Sequence, residues 1–170
     1  ARYCDGRKET TQEFLESLQA LGFEATTDEP YPKGNAWEVH VKRYATSGFR
    51  DWLKQMGIFK VGCQDAEVPD AVCRAPRNQV ALFLNRVWAA EGTVAYKKAS
   101  PPRFQLAMIS ERFIHQVQLL LLRWGIQGRM REYSSTRRGT VTIAYCLQVS
   151  GKQNIELFLK HIGCVFSKEF

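Results

Sequence analysis

One pattern occurs twice in this chain, and that duplication constrains the fold more than any other feature. "GFRDWLKQMGIF" (48–59) and "NIELFLKHIGCV" (154–165) agree at Trp52/Phe158, Leu53/Leu159, Lys54/Lys160, Met56/Ile162 and Gly57/Gly163. Upstream, "FLESLQALGF" (14–23) resembles "VQLLLLRWGI" (117–126), with Gly22 opposite Gly125. Within each copy, between the two glycines, lies a turn rich in Gly, Pro, Ser or Asn, set in strand-like residues: "EATTDEPYPKGNAWEVHVKRY" and "QGRMREYSSTRRGTVTIAYCLQV". Each such stretch reads as a β-hairpin. Each copy therefore predicts helix, Gly stop, hairpin, short helix, Gly stop. The four glycines fall where a left-handed cap ends a helix. Two matched helices, in one order and at near-equal spacing, point to a repeated unit.

The second copy carries a preface. "NQVALFLNRVWAAE" (78–91) predicts a helix, followed by "TVAYKK", a Pro-Pro turn at 101–102 and the strand "RFQLAMIS". The full second unit is then αββαββα. Projected back by the same spacing, "ARYC" becomes the second strand of the first unit, whose opening helix and strand are absent from this chain. The expected class is α+β, with two pseudo-symmetric units: 1–62, a linker at 63–77, and 78–170. Met108, Phe113, Val117, Leu120, Leu121 and Trp124 follow helical spacing and read as core.

At 170 residues the chain allows one domain or two small ones. Its net charge of +7 is unevenly placed. From Gly92 to Ile155 ten Lys or Arg stand against two acids, Glu111 and Glu132. So local an excess points to a polyanionic partner, most simply nucleic acid, with a solvated surface as the plainer reading. Five cysteines, with no C-x-x-C pair and no clustered histidine, argue against a disulfide scaffold or a zinc knuckle. Reduced thiols and a cytoplasmic location are expected. No stretch approaches the roughly 18–20 apolar residues of a membrane span, and no signal peptide is visible.

"FLNRVWAAEG" (83–92) puts an acid at the end of an apolar helix. Carboxylates stabilise the opposite end, where the helix dipole is positive. Glu91 is therefore either a solvated helix-end acid or has another task.

The αββαββα order, its doubling, and a helix ending in acid-Gly before a strand resemble the LAGLIDADG homing endonucleases. The resemblance is closest to the endonuclease domains carried inside inteins. Further matches are "RFQLAMISERFIHQVQLLLLRWGI" after the motif and "GIFKVGCQDAEVPDAV" between the repeats. The resemblance implies two motif helices packed side by side above a DNA-binding β-saddle. It implies that Glu91 is catalytic and binds divalent metal, Mg2+, with the Ala90 carbonyl as a second ligand. Phosphodiester hydrolysis suits such a site, because it needs hard oxygen ligands, an activated water and charge neutralisation at the leaving oxygen. It also implies double-stranded DNA as partner, no membrane, and a monomer with internal pseudo-symmetry or one completed by a missing N-terminal segment.

The strands would supply the DNA surface, since the major groove admits a two-stranded ribbon. Alternation puts Arg129 and Arg131 on one face, and likewise Thr140 and Thr142. Tyr96, Lys98, Arg103 and Gln105 are candidates from the other hairpin. Lys97, Arg137 and Arg138 at turns suit phosphates. In the first unit the candidates are Arg2, Lys33, Trp37, Lys42 and Arg43. Arg and Gln read guanine and adenine edges respectively.

The sequence departs from the family pattern in four places. Arg86 stands where a small residue lets two helices approach closely. Ala66 stands where the family has a linker lysine that polarises water or stabilises the transition state. The first motif helix is missing, and Glu replaces Asp. Two readings therefore stand. One is a site-specific double-stranded DNA endonuclease of intein type. The other is a degenerate relative that binds DNA, or RNA as a maturase does, without cutting. A third possibility, a protein-interaction domain with an incidental basic face, would show binding that barely weakens with salt.

Overall fold

Alternation gives every strand two faces, and the apolar parity decides where each sheet packs. The computed structural model describes residues 2–5, 8–28, 36–97, 100–137 and 140–163. The chain divides into two compact units, Ala1–Phe59 and Lys60–Phe170.

The first unit runs β1 (Arg2–Asp5), α1 (Lys8–Ala20), β2 (Ala25–Asp28), β3 (Trp37–Val41) and α2 (Phe49–Gln55). Its antiparallel sheet has the order β1-β3-β2. Leu18 of α1 meets Ala25, Val39, Val41 and Phe49 in the core, with Tyr3, Phe23 and Trp52 packed around them. The Phe49 and Trp52 rings stack at 5.7 Å.

The second unit opens with a 3-10 turn at Cys63–Asp65 and a short α3 (Asp70–Cys73). Then follow α4 (Arg77–Glu91), β4 (Gly92–Lys97), β5 (Ser100–Met108), α5 (Glu111–Leu121), a 3-10 turn at Leu122–Trp124, β6 (Gly128–Arg137), β7 (Thr140–Val149) and α6 (Lys152–His161). The antiparallel sheet has the order β4-β5-β7-β6. From α4 to α6 the order is αββαββα, as the sequence predicts. The run β1-α1-β2-β3-α2 repeats as β5-α5-β6-β7-α6, and β1-β3-β2 matches β5-β7-β6. The paired glycines agree too. Gly57 and Gly163 stand at φ 71° and 73°, Gly22 and Gly125 at 81° and 70°, all in the left-handed region.

The core of the second unit takes one parity from each strand. Phe104 and Leu106 of β5 and Leu147 and Val149 of β7 are buried with Val80, Leu84 and Trp88 of α4 and Ile114, Val117 and Leu121 of α5. Phe113 and Leu120 join them, while Met108 and Trp124 are partly buried against the same cluster. Trp88 is fully buried and meets Phe158 edge-on at 5.0 Å. No described helix of this unit covers the opposite parity of the sheet, where Thr93, Ala107, Arg129, Arg131 and Tyr133 are exposed.

Two expectations change in detail. Pro101 and Pro102 lie within β5 rather than in a turn. They fall opposite a register shift, where Ala95 pairs with Arg103 and Lys97 with Ser100. A strand tolerates proline at such a bulge, because no ladder N–H is required there. The stretch expected as a linker is bonded to α5 and the turn that follows it. The Val68 N–H donates to Gln116 Oε1 at 2.7 Å, and Ser110 Oγ donates to the Ala66 carbonyl at 2.6 Å. Arg123 donates to the Ala75 carbonyl at 3.2 Å and also to that of Cys73. Ser110 also caps α5 by accepting from the Phe113 N–H.

Candidate nucleic-acid interface

The helix-free face of the second unit's sheet is built in rows by strand register. Thr93, Gln105, Gln148 and Arg129 stand side by side across β4, β5, β7 and β6. One step along, Ala107, Cys146 and Arg131 form the next row, then Ala144 with Tyr133, and Thr142 with Ser135. Arg103 lies on the same parity beside Ala95. Four strands about 4.8 Å apart span roughly 14 Å, close to the ~12 Å width of the major groove.

Arg129 and Arg131 are exposed, and Arg103, Gln105 and Thr142 are half-buried. None of the three arginines shows an ion pair with a described acid. Burial pushes the Cys146 thiol up, opposed by the Arg131 guanidinium next to it. Sequence reasoning placed Arg103, Gln105, Arg129, Arg131 and Thr142, and the structure brings them onto one surface. It missed Thr93, Tyr133, Cys146 and Gln148, whose strand parity is the same. Lys98 and Arg138 lie outside the described residues, as do the side chains of Tyr96, Lys97, Arg137 and Thr140; the backbone pairs Arg137 with Thr140 at the hairpin end.

The helix foot lies one residue before the edge strand of that sheet. α4 ends at Glu91 and β4 begins at Gly92. The turn demands glycine because a Cβ at position 92 would sit 2.4 Å from the Trp88 carbonyl oxygen and 2.6 Å from Trp88 Cδ1. The Glu91 side chain is exposed, with no ion pair or hydrogen bond to a described residue. It borders a shallow cleft of about 270 Å³ with Phe83, Arg86, Val87, Ala90, Met108 and Phe113. Phe83, Val87 and Ala90 form a helical stripe beside the core face of α4, with Phe83 and Val87 partly buried against the core. Arg86 stands in that cleft, exposed, and donates to Asn85 Oδ1 at 3.3 Å. Asn85 in turn donates to the Ile162 carbonyl at 2.9 Å and ties α4 to the end of α6.

The Glu91 carboxylate and the Ala90 carbonyl are hard oxygen donors of the kind Mg2+ takes. The negative end of the α4 dipole adds to the attraction for a cation. Among the described residues no group of three His, Cys, Asp or Glu could hold an ion. The donor chemistry fits a divalent metal, then, but the donors make up only part of a shell of roughly six oxygens. Phosphate oxygens and water are the donors a nucleic-acid substrate brings.

The first unit presents a different surface. On the parity opposite its core, His40 Nε2 lies 3.2 Å from Asp28 Oδ2 and 3.2 Å from Glu38 Oε2. Thr26 pairs with His40 on the same face. Trp37 is not on that face. It shares the parity of buried Val39 and Val41, and the Lys8 ammonium lies 5.0 Å from its ring centroid. Lys42 and Arg43 are exposed just beyond β3, Arg43 at φ 48°. Lys33 and the side chain of Arg2 lie outside the described residues. No helix among the described residues is long and apolar enough to cross a membrane.

Residues 78–163 match the model of the LAGLIDADG-like domain. A replicative DNA helicase DnaB of Synechocystis sp. is 30% identical over 116 residues, covering 67% of this chain and 13% of that protein. A glutamine–fructose-6-phosphate aminotransferase (isomerizing) of Methanocaldococcus jannaschii is 29% identical over 165 residues, covering 95% of this chain and 14% of that protein. The chain thus spans about a seventh of the length of these relatives. Among solved structures, the homing endonuclease I-DmoI in complex with DNA and Mn has a TM-score of 0.59 at 14% identity, covering 100% of this chain and 82% of that one. Full-length DUF199/WhiA from Thermatoga maritima has a TM-score of 0.55 at 10% identity, covering 95% of this chain and 47% of that one. At such identities the likeness is one of fold.

Proposed function

The chain belongs to the LAGLIDADG-like domain family, and we propose that it is the DNA-cleaving portion of an intein, a site-specific endonuclease acting on double-stranded DNA with a divalent metal. The observation that carries this reading is the pairing of two features in the second unit. A helix-free sheet face presents Arg103, Gln105, Arg129 and Arg131 in register, and an unpaired carboxylate, Glu91, stands one residue before that sheet's edge strand. Cations without acidic partners favour phosphate, and side chains of mixed donor and acceptor character favour base edges.

Intein origin is supported by the relatives. Two proteins of unrelated activity, a helicase and an aminotransferase, match this segment, which is a small share of each. An inserted element accounts for one segment in hosts whose own chemistry differs.

In this reading the arginines hold the duplex in place, and Glu91 and the Ala90 carbonyl would hold a divalent metal. The metal would lower the pKa of a water and offset charge on the leaving oxygen. A second reading, a nucleic-acid binder without cleavage, is favoured by two observations: no cluster of three His, Cys, Asp or Glu able to hold a metal stands among the described residues, and the charged Arg86 occupies the cleft beside Glu91.

The test uses a plasmid library with randomised inserts, incubated with the 170-residue chain and Mg2+, followed by sequencing of cut ends. Cleavage by wild type, lost in Glu91→Gln with binding retained, is the expected result. Binding without cleavage by either protein selects the second reading. Absence of binding overturns both.

A further inference from the structure

Two amides lie side by side in the row of the helix-free face that crosses all four strands. Gln105 and Gln148 are register partners on β5 and β7, and Gln148 is only 8% exposed. A carboxamide so buried is costly unless its donor and acceptor are used. Here Gln148 Oε1 accepts from Gln105 Nε2 at 3.4 Å, and Gln148 Nε2 donates to Ser150 Oγ at 3.4 Å. Both bonds are long and individually weak. Their consequence lies in direction more than in strength.

One N–H of Gln105 is directed sideways at Gln148. Its Oε1 and its other N–H remain for a partner. An acceptor beside a donor complements N6–H and N7 of adenine in the major groove. Guanine presents two acceptors there and calls for two donors, which an amide facing outward with its oxygen beside its nitrogen does not offer. The next row is low on this side, because Gln105 and Gln148 are followed by the small Ala107 and Cys146.

We infer that Gln148 is a specificity-setting residue: without touching DNA, it holds the Gln105 amide in the one orientation that reads adenine. The inference rests on the DNA-binding reading of this face and assigns it a base preference. Gln105 is the contacting residue and Gln148 the positioning residue.

Selection of bound duplexes from a randomised pool tests it, using wild type, Gln105→Leu, Gln148→Leu and Gln148→Glu, with thermal melts to compare their folding. Wild type enriches adenine at one position of the site. Gln105→Leu and Gln148→Leu both lower the adenine preference there by about tenfold, the scale of one bidentate contact, and leave the other positions enriched. Gln148→Glu keeps an acceptor for Gln105 Nε2, so it keeps the adenine preference while binding more weakly overall. A merely structural role for Gln148 would weaken every position alike and leave the adenine preference intact, which would overturn the inference. Guanine at that position in wild type would also overturn it, since Gln105 would then be presenting two donors. So would loss of the preference in Gln148→Glu. Wild-type binding with no enriched position overturns the inference and spares the DNA-binding reading. No binding at all overturns both.

Discussion

The two units share a topology and differ in what they offer to solvent. Strands β1-β3-β2 and β5-β7-β6 are ordered alike, each set of three is backed by the helix that follows its first member, α1 or α5, and matched glycines end the matched helices. Yet the helix-free parity carries His40 between Asp28 and Glu38 in the first unit, and Arg103, Arg129 and Arg131 in the second. The strand period of two separates the residues that hold a fold together from those that face a partner. Surface chemistry can then diverge while the core pattern stays. Asp28 and Glu38 disfavour a phosphate beside them, whereas guanidinium groups without acidic partners favour one.

The largest expected effect breaks one core and spares the other. Trp88→Ala removes a fully buried ring packed on Phe158 and is expected to destabilise the second unit by about 3–5 kcal/mol. Hydrogen exchange should show α5 and β7 losing protection while α1 and β3 keep theirs. Phe49→Ala should do the reverse at a similar cost of roughly 3–5 kcal/mol. Trp88→Phe is expected within about 1 kcal/mol of wild type, because Trp88 Nε1 is buried without a hydrogen-bond partner and phenylalanine sheds that donor.

Next in size is binding. Removing Arg129 and Arg131 together should lower the slope of log affinity against log salt by about 1.8, roughly 0.9 per phosphate contact on B-DNA. Lys42→Ala, in the first unit, should change the slope by less than half as much. Equal slopes for the two variants would erase the distinction between the faces. The smallest effect sharpens it: Asp28→Asn with Glu38→Gln should raise affinity by about twofold, since exposed charges are screened beyond a Debye length of ~8 Å.

The helices, hairpins and glycine caps were legible because they depend on local signals: periodicity, turn residues and helix stops. The anchoring of 66–75 was not, because it rests on side chains 40 or more positions away in the chain, among them Gln116 and Arg123. The candidate face was half legible. Arg129 and Arg131 stood out by charge. Gln148 and Tyr133 did not, although their parity could have singled them out once the strands were registered. Trp37 misled because an aromatic on a strand looks alike on either face, and only the buried Val39 and Val41 beside it decide which one it takes.

The claim at the centre is that the helix-free face of the second unit's sheet meets nucleic acid. Cys146 lies in that face beside Arg131, and Cys63 lies exposed in the 3-10 turn, which is no part of the sheet. Alkylation followed by peptide mass spectrometry, with and without duplex DNA, reads both thiols in one experiment. Modification of Cys146 should slow severalfold when DNA is bound, while Cys63 reacts unchanged. If bound DNA leaves the Cys146 rate as it was, the interface lies elsewhere on the molecule.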